Sequence, residues 1–149
     1  MGRMKLRGNC PAKVDEKGRL KVPAPFLEVL KEYGSTQFYI TSLDGKSARI
    51  YPLSVWTKKE EQLSALEPKD PANQAKRKIL FWTSYYGQQV EIDGQGRLLL
   101  PGLLRDDAKL TAEVDVLGAL DYLDVMNHVG VVDRLKSEPV TDDELNLLG

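Results

Sequence analysis

The chain carries one cysteine and one histidine in 149 residues. A lone Cys10 cannot close an internal disulfide, so nothing points to an oxidising compartment. Cys10 and His128 are 118 positions apart and give no zinc-type spacing. With His128 the sole imidazole, neither a Ser-His-Asp nor a Cys-His nucleophilic pair is expected around the basic segment described below. Cys10, between Asn9 and Pro11, reads as a packed thiol. No run reaches the roughly 18–20 apolar residues of a membrane span, and Met1 to Cys10 lacks the apolar stretch of a secretory signal. A Gly-x4-Gly-Lys-Ser/Thr loop is missing, and Gly94-Gln95-Gly96 lacks the third glycine and long helix of a dinucleotide site. Asp93 to Arg97 puts Gln95 and a cation where a calcium loop needs ligating oxygens. Asp106-Asp107 and Asp142-Asp143 sit in acidic, surface-like contexts. The expectation is a cytoplasmic protein that is not an enzyme, with no cofactor, metal, small-molecule substrate or membrane partner.

An excess of either charge is also missing. There are 21 Lys+Arg against 22 Asp+Glu, a net charge of −1, with 29% charged and 42% hydrophobic residues. This is ordinary for a folded protein of one domain, or of two small halves sharing a core. The near-zero sum hides a gradient. Residues 1–31 hold eight cations and three acids, net +5, and still +3 without Arg3 and Lys5. Residues 32–105 are net +2, and residues 106–149 hold three cations against eleven acids, net −8. Such asymmetry suggests a polyanion-binding end and an acidic tail.

What the sequence does have is a repeat. Val14-Asp15-Glu16-Lys17-Gly18-Arg19-Leu20-Lys21-Val22-Pro23 returns as Ile92-Asp93-Gly94-Gln95-Gly96-Arg97-Leu98-Leu99-Leu100-Pro101 at an offset of 78. A short helix-like run follows each copy, at 25–30 and 103–107. Two β-rich runs come next in each half: 38–41 and 49–51, then 114–117 and 122–125. Asp44-Gly45 and Gly118 to Asp121 supply the turns between them. The fold class read from this is α+β, a β-rich pseudo-twofold duplication of a β-β-α-β-β unit with a helical connector. Gly18 and Gly96 fall where a tight hairpin needs positive φ. Asp15 with Arg19, and Asp93 with Arg97, flank the loops closely enough to pair or to hold loop amides. Pro23 and Pro101 end the ladders and start helices.

The copies differ in charge. Lys13, Lys17, Arg19 and Lys21 match Glu91, Gln95, Arg97 and Leu99, so these nine-residue windows are net +2 and −1. Lys13, Arg19 and Lys21 share strand parity and Lys17 lies at the loop tip. All four can face a phosphate backbone, and Arg7, at the start of the same β region, can join them. The first hairpin is thus the expected nucleic-acid face and the second mainly scaffold.

Leu6-Arg7-Gly8-Asn9 and two Asp-x-x-Gly-Arg-x-x-x-Pro motifs, with Ile50-Tyr51-Pro52-Leu53 ahead of a Trp56-bearing helix, resemble the MraZ family of the AbrB/SpoVT-like β-fold group over residues 6 to 126. The resemblance implies a bacterial, nucleoid-associated homo-oligomer, ring-shaped, that binds tandem repeats of double-stranded DNA in the promoter of the cell-division and cell-wall gene cluster. By the resemblance Asp15 and Arg19 fall on the motif implicated in DNA binding and Asp93 and Arg97 on the second, so the candidate DNA-binding residues are Arg7, Lys13, Asp15, Lys17, Arg19 and Lys21. The implied layout is a first repeat over 5–55, a helical connector over 56–84, a second repeat over 85–128 and an acidic tail over 129–149.

In the connector, Ser54 is a candidate N-cap and Pro68 and Pro71 interrupt two helices. Lys76-Arg77-Lys78 is expected on a solvated face, and Trp82, Tyr85 and Tyr86 in the core or at a subunit contact. Thr141 with Glu144 three residues on is a candidate cap in the tail. The rival reading is a non-catalytic oligomeric assembly protein whose basic hairpin binds an acidic protein partner.

Overall fold

The structure, a computed structural model, describes residues 5–149; Arg3, counted in the basic segment, lies outside them. The first half contains β1 (Asn9–Val14), β2 (Arg19–Lys21), α1 (Ala24–Lys31), β3 (Gln37–Thr41) and β4 (Ser47–Pro52). The connector is α2 (Leu53–Ser64) and α3 (Asn73–Tyr85). The second half repeats the order with β5 (Gln88–Glu91), β6 (Arg97–Leu99), α4 (Gly102–Ala108), β7 (Ala112–Gly118) and β8 (Leu123–Asn127). Two further helices, α5 (His128–Ser137) and α6 (Asp142–Leu145), precede a final 3-10 turn, Asn146–Leu148. The duplicated β-β-α-β-β order expected from the repeat is therefore present.

The strands form one antiparallel sheet in the order β5-β3-β4-β8-β7-β1-β2-β6. Its two end strands, β5 and β6, are joined by the loop over 92–96, where the Asp93 amide donates to the Arg97 carbonyl at 3.0 Å. The sheet so nearly closes into a barrel, and closure leaves few unpaired strand edges. The halves are interleaved within it. β1 pairs with β7 of the second half from Asn9↔Leu117 to Val14↔Ala112, and β5 pairs with β3 of the first. Exchanging the halves maps β1–β7 onto β5–β3 and maps β4–β8 and β2–β6 onto themselves. A pseudo-twofold axis therefore runs through the β2–β6 pair at Leu20↔Leu98.

The core explains the interleaving. Alternation in β2 and β6 turns Leu20 and Leu98 inward, where both are fully buried with Leu6, Ile40, Ile50, Leu104, Leu110, Val116, Leu123 and Val125. Within its own half β1 meets β2 only at Val14↔Leu20, too little to bury either hairpin's apolar face. The other half completes the burial.

α2 lies on this barrel through Trp56, whose ring stacks on Tyr39 at 4.8 Å and tilts against Tyr51 at 5.1 Å. Two details depart from the expectations for the connector. α2 starts one residue before Ser54, at Leu53, with Pro52 in the N-cap position and no side-chain cap, because the preset φ of Pro52 already fits there. Lys76 is half-buried and its Nζ donates to the Ala65 carbonyl at 2.9 Å, so only Arg77 and Lys78 of the basic triplet are solvated.

Candidate nucleic-acid interface

The two Asp-x-x-Gly-Arg loops are built alike. Asp15 Oδ1 accepts the amides of Lys17 and Arg19 at 2.9 Å each, and Oδ2 accepts Arg19 Nε at 2.8 Å. Asp93 does the same with the amides of Gln95 and Arg97 at 2.9 Å and with Arg97 Nε at 2.8 Å. Gly18 and Gly96 turn the chain at φ +85° and +74°, which a residue with a β-carbon rarely adopts. The amide of Arg19, with its guanidinium and the Lys17 amide, outweighs desolvation and holds the Asp15 carboxyl below its ordinary range. The Arg97 amide and guanidinium and the Gln95 amide do the same for Asp93. Each loop is thus a rigid turn with a carboxylate inside and an arginine stapled across it.

Arg19 and Arg97 are held identically, so the charge contrast between the copies has no counterpart in the arginines themselves. It lies at the flanking positions. β2 and β6 pair as Arg19↔Leu99, Leu20↔Leu98 and Lys21↔Arg97. Arg19, Lys21, Arg97 and Leu99 consequently share the outward face of one two-stranded ribbon, with a loop at each end pointing away from the other. The Leu100 amide donates to the Gly18 carbonyl and the Val22 amide to the Gly96 carbonyl, each at 3.0 Å, locking both loops to the ribbon.

Lys13 is exposed on the outward face of β1, which the Val14↔Leu20 register places beside Lys21. Lys17 is exposed at the first loop tip. Lys13, Asp15, Lys17, Arg19 and Lys21 are therefore brought together, with Glu113 across the sheet from Lys13. Arg7 is exposed but precedes β1 at the end away from the loop, about 20 Å along the strand from Lys13. The fold does not bring it to the cluster.

Two features escaped the sequence reading. Arg105 of α4 donates from Nε to the Leu100 carbonyl at 3.1 Å, and its guanidinium fills the space a β-carbon on Gly18 would occupy. The first loop therefore rests on a cation from the second half. At the matching place under Gly96 lies Leu27 of α1. The substitution is visible at the repeat offset, since 27 and 105 differ by 78; the contact is not, because it depends on the halves interleaving. Lys21 Nζ, in turn, donates to the Gln95 carbonyl of the second loop. The second hairpin, expected as scaffold, thus shares the ribbon and carries Arg97 and the Lys21 ammonium.

His128 also moves relative to expectation. Its Nδ1 lies 2.6 Å from Oδ2 of the buried Asp115, and the pair lines a cavity of about 360 Å³ with Pro11, Ala12, Lys13, Glu113 and Val114. Pairing of β1 with β7 carries this imidazole to the basic hairpin, 115 residues away in sequence from Lys13. The lining contains no serine, threonine or cysteine for a nucleophilic pair. Among the described residues no cluster of three or more His, Cys, Asp or Glu could hold a metal ion, and no helix is long and apolar enough to cross a membrane.

Comparison of the sequence with known proteins matches the chain to a family. A family model described as "MraZ protein, putative antitoxin-like" matches residues 87–128, which span β5, β6, α4 and the β7–β8 hairpin. A protein of Acidobacterium capsulatum named transcriptional regulator MraZ is 47% identical over 93% of this chain and 93% of its own. The chain belongs to the MraZ family. Another relative of that name, from Koribacter versatilis, is 46% identical over 95% of this chain and 96% of its own. One from Syntrophobacter fumaroxidans is 32% identical over 85% and 82%.

Proposed function

We propose that the protein is a DNA-binding transcription regulator whose contact surface is the β2–β6 ribbon with its two stapled loops. The observation that carries this reading is the clustering of Lys13, Arg19, Lys21 and Arg97 on one outward face, with Lys17 at the adjoining loop tip and Arg105 beneath. A two-stranded ribbon is narrow enough for a major groove about 12 Å wide. Each staple occupies only Nε, which leaves the terminal nitrogens of Arg19 and Arg97 as donors to phosphate or guanine. Asp15 and Asp93 act as positioning residues for these arginines, while Lys13, Lys17 and Lys21 supply phosphate contacts. The names of the relatives support transcriptional regulation as the context.

In this reading one ribbon binds weakly, and a homo-oligomeric ring sets several ribbons against tandem repeats. The second contact then forms at a high effective concentration. The target is the promoter of the cell-division and cell-wall cluster, read on the nucleoid in the cytoplasm. Fluorescence anisotropy with duplexes from upstream of its own gene, carrying one or three repeats, tests this. The expected result is a sharp gain with three repeats and a steep loss with salt. Equal affinity for one and three overturns multivalent binding, and failure to bind either overturns the DNA reading in favour of an acidic protein partner.

A further inference from the structure

Two exposed surfaces of opposite charge take no part in the ribbon. Every residue from Asp133 to Gly149 is exposed. Even so, the end of this segment is folded: Thr141 Oγ1 accepts the Glu144 amide at 3.2 Å and Glu144 Oε1 accepts the Thr141 amide at 2.9 Å, a reciprocal cap that nucleates α6. The turn it creates carries Asp142, Asp143 and Glu144, followed by Leu145, Leu147 and Leu148, the last two 89% and 86% exposed. No cation lies between Lys136 and the end. Preformed structure with uncovered leucines costs solvation on its own, and it fits a surface supplied from elsewhere.

The second surface is the outer face of α3. Arg77, Lys78, Phe81 and Tyr85 follow one another at helical spacing, and Phe81 and Tyr85 are 72% and 58% exposed. α3 has no acidic residue from Asn73 to Tyr85. Its face runs from basic to aromatic along the chain; the tail runs from acidic to aliphatic. The sequences of charge and hydrophobicity are complementary over about two turns, and on a single chain neither surface covers the other.

We propose that α3 of one copy receives the segment Asp142–Leu148 of a second copy. Asp142, Asp143 and Glu144 oppose Arg77 and Lys78, while Leu147 and Leu148 cover Phe81 and Tyr85. The inference rests on the reading that the protein is a homo-oligomer, and it names the contact that builds one. Because donor and acceptor are different surfaces of the same chain, the contact is head-to-tail. Such contacts close into rings or run on as filaments.

Charge reversal tests it on the full chain by size exclusion with light scattering. Arg77→Glu with Lys78→Glu makes α3 acidic, and Asp142→Lys with Asp143→Lys makes the tail basic. The wild type is expected as an oligomer, with each reversed protein dissociated at a concentration at least tenfold above that of wild-type assembly. Mixing the two reversed proteins restores assembly, because the acidic α3 of one meets the basic tail of the other and the unaltered surfaces also match. Docking of a tail onto its own α3 could not be rescued this way, so failure of the mixture to assemble overturns the proposal. Phe81→Asp gives a charge-independent check, and circular dichroism confirms folding, since all the altered side chains are exposed. An oligomeric wild type whose reversed variants keep its mass overturns this contact alone; a monomeric wild type overturns the homo-oligomer reading as well.

Discussion

The guanidinium of Arg105, from the second half of the chain, occupies the space a β-carbon would need on Gly18 of the first. Gly18 is also at φ +85°, so Gly18→Ala meets both backbone strain and a displaced cation. The expected cost is about 1–3 kcal/mol of stability, together with weaker DNA binding as the first loop shifts. Gly94, in the second loop, has open space around its β-carbon position and no positive φ. Gly94→Ala is expected to change stability by less than about 0.5 kcal/mol. Denaturant unfolding of the two variants compares them directly.

Arg105→Leu places at position 105 the residue type that supports the other loop at Leu27. The fold should persist, because leucine fills the same place under Gly96. Affinity for DNA should fall, and a titration over salt should show a shallower dependence if the guanidinium senses the phosphates. An unchanged salt slope assigns Arg105 to loop support only.

The ribbon itself predicts how salt dependence changes with sequence. Leu99, 46% exposed, is the outward position that breaks the pseudo-twofold match with Lys21. Leu99→Lys completes a four-cation face and should steepen the slope of log K against log salt by about 0.9 if the new ammonium reaches a phosphate. Lys17→Glu, at an exposed loop tip outside both staples, should flatten it by a similar amount or more without loss of stability.

Asp15 and Asp93 set the pH response of the loops. Their folded carboxyls lie below the ordinary value of about 3.9, so the stability they contribute is fully present above that value and is lost as pH falls through the folded values. Stapling is therefore constant between about pH 5 and 8. Asp15→Asn and Asp93→Asn should lower the melting temperature at pH 7, and the gap from wild type should shrink as pH drops below about 4. A gap that persists undiminished at the lowest pH contradicts the assignment.

Interleaving makes a prediction about dissection. Fragments 1–66 and 67–149, cut between α2 and α3, should each remain largely unfolded. β1 would lack β7 in the first, and β5 would lack β3 in the second. Mixed, they should regain the circular dichroism of the intact chain. Independent folding of either fragment contradicts the shared core.

Much of this was legible in residue order, because its causes are local. Alternation of Leu20 and Val22 with Arg19 and Lys21 fixes which side of a strand faces water. Pro23 and Pro101 start helices through a preset φ, and Gly18 and Gly96 make the loops possible. The Asp–Arg staples join residues four positions apart and need no distant partner. Those elements, the duplication and the charge gradient were determined by sequence alone. Tertiary structure decided the rest: that Lys21 faces Arg97, that Arg105 supports Gly18, that His128 stands beside Lys13, and that Arg7 lies far from the loop. The fourth follows from β1 running unbroken from Asn9 to Val14, and the first three from which strands pair across the halves. That choice is made by the total burial of two incomplete hairpins, to which residues dozens of positions apart contribute together and no local signal answers.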